Sequence, residues 1–127
     1  MKKTVEITTG AFEKPYRTEA IWSDSASHLK IIWKQKHEGD RAESRYEIGL
    51  DKESGICTIR RSGDIRSEMV FDTSKATKGI FTTPYGVMEM NIVTDYINMP
   101  SLLAPKFEIS YKIEEHIEKN VFSVRIL

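Results

Sequence analysis

Arg61, Glu68 and Tyr85 are the set of titratable side chains in this 127-residue sequence that could serve an enzyme, provided they converge at one pocket mouth. Each also has a plainer reading. Arg61 points inward to a carboxylate or a ligand anion, or it braces a hairpin by bonding backbone carbonyls. Tyr85 and Tyr111 present hydroxyls at a rim, or they are core aromatics whose hydroxyls reach water or backbone. Met88 and Met90 share a face with Ile92, and Met69 lies one hairpin earlier. Flexible thioethers suit a cavity that accepts apolar ligands, and they suit core filling equally well. The candidate ligand-binding residues are therefore Arg61, Glu68, Tyr85, Met88, Met90 and Tyr111, and no residue is assigned a catalytic role.

Other chemistries find little support. His28, His37 and His116 show no metal-ligand spacing, and there is no Cys-x-x-Cys, His-Glu-x-x-His or Asp-rich calcium loop. No metal or cofactor is expected. Glycine-rich phosphate loops and a Gly-x-Ser-x-Gly elbow are absent. Cys57 sits inside an apolar strand pattern, where a buried structural thiol is the simpler reading. Arg60, Arg61 and Arg66 form the densest cationic cluster, and Lys30, Lys34 and Lys36 form a second row. Either could meet a phosphate backbone. Nineteen basic residues balance nineteen acidic ones, however, so solvated faces paired with Glu43, Glu47 and Glu68 are the expected arrangement. No nucleic-acid partner is expected.

The elements that must position these residues are strands. Val5 and Ile7 alternate with polar neighbours near the start. Gly10 to Lys14 reads as a break, Tyr16 to Ser23 as a strand or one helical turn with no clean period, and Ser23 to Ser27 as a polar loop. From residue 28 onward period-2 alternation persists: Leu29, Ile31 and Trp33; Ala42, Ser44, Tyr46, Ile48 and Leu50; Met69 and Phe71; Met88, Met90, Ile92 and Thr94; Phe107, Ile109, Tyr111 and Ile113; Phe122, Val124 and Ile126. Turn signals such as Glu38-Gly39-Asp40, Ser62-Gly63-Asp64 and Thr83-Pro84-Tyr85-Gly86 separate these runs. Pro84 pre-sets φ for a tight turn and holds Thr83 extended. Charged residues form a turn over 114–120. The spacing predicts eight to nine strands in a single all-β domain spanning 1–127, closed as an antiparallel up-and-down barrel so that no long edge is left exposed.

The ordered set Arg61-Ser62-Gly63, Ser67-Glu68-Met69-Val70-Phe71, Thr83-Pro84-Tyr85-Gly86, Val93-Thr94, Tyr111 and Asn120-Val121-Phe122 resembles the YwiB-like family of small bacterial proteins of unknown function. The resemblance covers residues 28 to 127 and implies a lipocalin-like (calycin-like) β-barrel. The chain departs from the family pattern at Lys34-Gln35-Lys36-His37, where an aromatic-rich strand is usual. It departs again at Leu103-Ala104-Pro105, where Gly-Gly is common.

Two functional classes follow. In the first, the protein is a non-enzymatic binder of a small apolar ligand held inside the barrel. In the second, it is a structural or regulatory interaction module, self-associating as a homo-oligomer, with a packed interior. The opening Met1-Lys2-Lys3-Thr4-Val5-Glu6 lacks the apolar run of a secretory leader, no 18-residue apolar stretch suits a membrane, and one cysteine precludes an intrachain disulfide. A cytoplasmic protein without a membrane partner is expected.

Overall fold

The computed structural model describes residues 1–10, 14–113 and 118–127. Ten strands succeed one another: β1 (Lys2–Thr9), β2 (Tyr16–Asp24), β3 (His28–Gln35), β4 (Ser44–Asp51), β5 (Cys57–Ser62), β6 (Arg66–Phe71), β7 (Thr77–Thr83), β8 (Gly86–Asn98), β9 (Lys106–Ile113) and β10 (Asn120–Ile126). Each pairs antiparallel with its neighbours in sequence, and β1 also pairs with β10, which closes the barrel. Closure gives every strand two partners and leaves no long edge to template aggregation.

Among the described residues the barrel has ten strands rather than eight or nine. The additional strand is β2, in the stretch that showed no clean period. Ala20 and Trp22 point into the core while Ile21 between them is 48% exposed, so three successive apolar residues hid the alternation. Its register is nonetheless regular, Ala20 lying opposite Lys3 and Trp22 opposite Ile31.

The core is the barrel interior. Val5, Ile7, Leu29, Ile31, Ile48 and Phe107 are fully buried, and all stand at inward positions of alternating strands. β8 runs through to Asn98, past the last residue of its alternating run, because its register with β9 shifts between Thr94 and Tyr96. The irregularity changes the phase of the strand: Thr94 faces in, and the next inward residue is Ile97. Thr83-Pro84-Tyr85-Gly86 forms the β7–β8 turn. The Thr83 hydroxyl accepts from the Tyr85 amide at 3.1 Å, and Gly86 leaves the turn at φ 138°, where a side chain would be strained. Most of the charged turn over 114–120, with His116, lies outside the described residues. No helix among the described residues is long and apolar enough to cross a membrane.

Candidate functional site

The antiparallel register stacks inward side chains into rows around the barrel. One row runs Trp33, Tyr46, Arg61, Ser67, Phe81 and Met88, each opposite the next from β3 to β8. The adjacent row, one step deeper, runs Ile31, Ile48, Ile59, Met69, Gly79 and Met90. Bulk is uneven along both. Aromatic and branched side chains fill the β3–β5 side, whereas Ser67 is small on β6, and the space over Gly79 on β7 is taken by Ile92 and Met69. A cavity of about 170 Å³ lies inside the barrel against these rows. Its walls are mainly apolar, including Ile59, Met69, Phe71, Phe81, Met90 and Phe122. Thr9, Tyr46, Arg61, Ser67 and Tyr111 add polar atoms. Thr9, Phe81 and Ile113 stand at or near strand ends, which places the cavity toward the barrel end that carries the 36–43 loop and the Pro84-Tyr85 turn.

Among the described residues that line the cavity, Arg61 alone has a charged side chain. It shares the strand phase of Cys57 and Ile59, so β5 turns it inward. Its guanidinium carbon lies 5.5 Å from the centre of the Tyr46 ring, and that ring stacks on Trp33 with centroids 5.1 Å apart and planes 2° from parallel. Arg61 Nε donates to Ser44 Oγ at 3.3 Å, and Nη2 lies 3.6 Å from Asp40 Oδ2. The same Asp40 oxygen accepts from the His37 amide at 3.0 Å, and His37 Nε2 lies 2.5 Å from the Tyr46 hydroxyl. The 36–43 loop is thereby tied to the barrel rim by two side-chain contacts, Asp40 to Arg61 and His37 to Tyr46. Gly63 permits this packing. It sits at φ 155°, and a Cβ there would lie 2.6 Å from Ser44 Oγ.

The electrostatics are consistent across the cluster. Burial, then the nearby Arg61 charge, pushes the His37 imidazole below its usual value, with Asp40 opposing. Burial chiefly pushes the Tyr46 phenol up to about 12. At neutral pH the imidazole is therefore uncharged and the phenol keeps its proton, so the consistent assignment has the Tyr46 hydroxyl donating to His37 Nε2. Burial also raises the Tyr111 phenol, whose ring meets Phe71 edge-on with centroids 5.0 Å apart.

Of the six candidates read from the sequence, Arg61, Met90 and Tyr111 line the cavity. Met88 completes the outer row beside Phe81 but is 55% exposed at the rim. Glu68 faces outward, because its neighbour Met69 faces in, and it pairs with Arg60 at 3.3 Å. Tyr85 is fully exposed in the β7–β8 turn. Arg61, Glu68 and Tyr85 thus do not converge. Sequence reasoning missed Tyr46, Ser67 and Phe81 as wall residues, and His37, Asp40 and Ser44 as partners of the cluster. Strand phase held the signal for the first three: Tyr46, Arg61 and Ser67 fall opposite one another once the two hairpins are paired.

Elsewhere, Cys57 is fully buried, and burial pushes its thiol up to about 12. On the outer surface Lys30 pairs with Glu47 at 3.3 Å, as does Arg45 at 3.0 Å. His28 is exposed and bonds Ser27 Oγ at 2.9 Å. Among the described residues no three His, Cys, Asp or Glu side chains are grouped to hold a metal ion. A larger concavity of about 830 Å³ opens at the opposite end of the barrel, against Met1, Asp24, His28 and Lys30. Those four are exposed, so this is a surface groove, whereas the interior cavity is enclosed by strands on its sides.

Comparison with known proteins fits this architecture. The model of a domain of unknown function, DUF1934, matches residues 16–123. The chain belongs to this family. The YwiB-like character read from its motifs is thereby established, together with the barrel. The DUF1934 chain is also similar to the crystal structure of the ywiB protein from Bacillus subtilis, with a TM-score of 0.68 and 14% identity over 99% of this chain and 89% of that one. At that identity the likeness shows the fold alone. No curated protein matches the chain. Within this family member, several residues that carried the YwiB resemblance, Arg61, Ser67, Met69, Tyr111 and Phe122, stand in the cavity wall.

Proposed function

We propose that the protein is a non-enzymatic binding protein that holds one small, mainly apolar ligand inside its barrel, in the manner of a lipocalin-like container and in a cytoplasmic setting. The supporting observation is the cavity of about 170 Å³ walled by Ile59, Met69, Phe81, Met90 and Phe122. A cavity near 150 Å³ accepts a benzene-sized molecule, whereas drug-sized ligands need roughly 300 Å³ or more. The ligand is therefore compact, and long-chain fatty acids and retinoids are too large. Arg61, Met90 and Tyr111 contact it, and Met88 stands at its entrance. Glu68 and Tyr85 have no part in binding.

The test is a titration of the isotope-labelled protein with toluene, followed by amide and methyl chemical shifts. Shifts at Ile59, Met69 and Met90, saturating in the millimolar range, are expected. Shifts absent from the cavity wall, or confined to the outer surface, would overturn the reading.

A second reading, self-association through exposed apolar residues, has its own observation. Leu102 and Leu103 in the β8–β9 loop are fully exposed, as is Tyr85 at the other end. Sedimentation as a monomer at high micromolar concentration would remove it.

A further inference from the structure

Among the described residues the cavity presents one charge within mainly apolar walls, and that charge is positive. We propose that its ligand is a small monocarboxylate, held with its anionic end on the Arg61 guanidinium and its apolar body among Met69, Phe81, Met90 and Phe122. This rests on the reading that the cavity takes a ligand at all.

Three features carry the assignment. The first is the direction of Arg61. Its position on β5 is an inward one, and the residue opposite it on β6 is Ser67, a short side chain that lines the same cavity. The second is the use of its donors. A guanidinium has five N–H groups. Among the described residues one of them bonds Ser44, and the Asp40 carboxylate approaches only to 3.6 Å, beyond hydrogen-bond reach. Both partners belong to the loop and rim side, so donors remain for a planar, two-oxygen acceptor on the cavity side. The third is preorganisation. The guanidinium lies over Tyr46, which is itself stacked on Trp33 and tied to His37, so little side-chain freedom is lost when an anion arrives.

The surroundings also limit the charge and size of the ligand. Asp40 already offsets part of the Arg61 charge, which favours a single negative charge over a dianion. The remaining polar lining groups, Thr9, Tyr46, Ser67 and Tyr111, are neutral at physiological pH. A volume of about 170 Å³ admits an aromatic ring or a short branched chain beyond the carboxylate.

The experiment compares benzoate, toluene and benzylamine, three probes of similar size and different charge, by chemical-shift titration of the whole protein at neutral pH. Benzoate is expected to shift Arg61, Ser67 and Met90 and to bind at least about tenfold tighter than toluene, with benzylamine weakest. In Arg61→Met the benzoate advantage is expected to vanish while toluene still binds. Arg61→Lys, which keeps the charge without the fork, is expected to retain part of it. Toluene binding with no benzoate preference in the wild type overturns the carboxylate assignment and leaves the container reading standing. So does an Arg61→Met variant that binds benzoate as the wild type does. Binding by none of the three probes overturns both. The wild-type comparison decides the matter even where a variant fails to fold.

Discussion

Replacing Tyr46 by Phe removes one hydroxyl while keeping the ring that stacks on Trp33 and supports Arg61, so it isolates the polar link between the barrel and the 36–43 loop. Two effects of known sign follow. At pH 8 the variant loses the hydrogen bond to His37, which lies at 2.5 Å, and a net loss of about 1 kcal/mol is expected. For a domain of this size that lowers the melting temperature by roughly 3–5 °C. In alkali the balance changes. The folded Tyr46 phenol is raised from 10.0 to about 12, so the unfolded chain gives up its proton first. The folded state then binds more protons than the unfolded one, and stability falls as pH rises from the unfolded value through the folded one. At about pH 11 the full shift is worth about 1.4 kcal/mol, and solvent at the rim reduces this to about 1 kcal/mol. The wild type suffers this loss and Tyr46→Phe does not. Urea unfolding at the two pH values should therefore show the variant about 1 kcal/mol less stable at pH 8 and level with the wild type at pH 11. The raised Tyr111 and Cys57 groups titrate in both proteins and cancel from the difference. A stability gap that is the same at both pH values would refute the buried, protonated phenol and the cluster built on it.

Gly63→Ala should destabilise by about 1–3 kcal/mol in thermal unfolding, because its φ of 155° disfavours a side chain and the new Cβ meets Ser44 Oγ at 2.6 Å. By displacing Ser44 it should also weaken benzoate binding, and a fully stable variant would contradict the close approach. Thr94→Val should be neutral or stabilising by up to about 1 kcal/mol, since Thr94 Oγ1 is buried without a hydrogen-bond partner among the described residues and valine has the same shape. A loss above about 1 kcal/mol in the same assay would show that the hydroxyl is bonded.

What could be read in advance divides along a physical line. Inside strands, alternation tells which side of the wall a residue faces, and wherever polar and apolar residues alternate cleanly the inward set was legible: Leu29, Ile31 and Trp33 on β3, Tyr46, Ile48 and Leu50 on β4, Phe107, Ile109 and Tyr111 on β9. The same rule already placed Glu68 outside, since Met69 and Phe71 were inward; grouping Glu68 with Arg61 ignored the phase. Alternation is silent where apolar residues adjoin, as at Ala20-Ile21-Trp22. It is also silent in loops, whose conformation answers to tertiary contacts. His37 and Asp40 read as a polar segment and a turn, and nothing local predicted that the loop would fold back until Asp40 reached Arg61 and His37 reached Tyr46. Sequence pattern can also say that a side chain points inward without saying whether its neighbours fill the space. The cavity wall brings Ser67 opposite Arg61, between Tyr46 and Phe81, a coincidence visible only once the register is known.

That coincidence bears on why Arg61 is there. Withdrawing a guanidinium from water costs several kcal/mol, and one carboxylate at 3.6 Å returns only part of it. Removing Arg61 alone would strand the largely buried Asp40 carboxylate, but replacing both by neutral residues of similar volume would close the cavity's polar side and is expected to leave stability unchanged or raised. The cluster around Arg61 is thus poorly explained as a device for stability. Its parts make sense together as a support: Trp33 holds Tyr46, Tyr46 and Ser44 hold the guanidinium, and Asp40 limits its charge to what a single carboxylate can match. Equal or greater thermal stability in the double variant Arg61→Met, Asp40→Asn, together with loss of benzoate preference, is the combination required. A large loss of stability would instead make Arg61 a structural brace of the barrel rim.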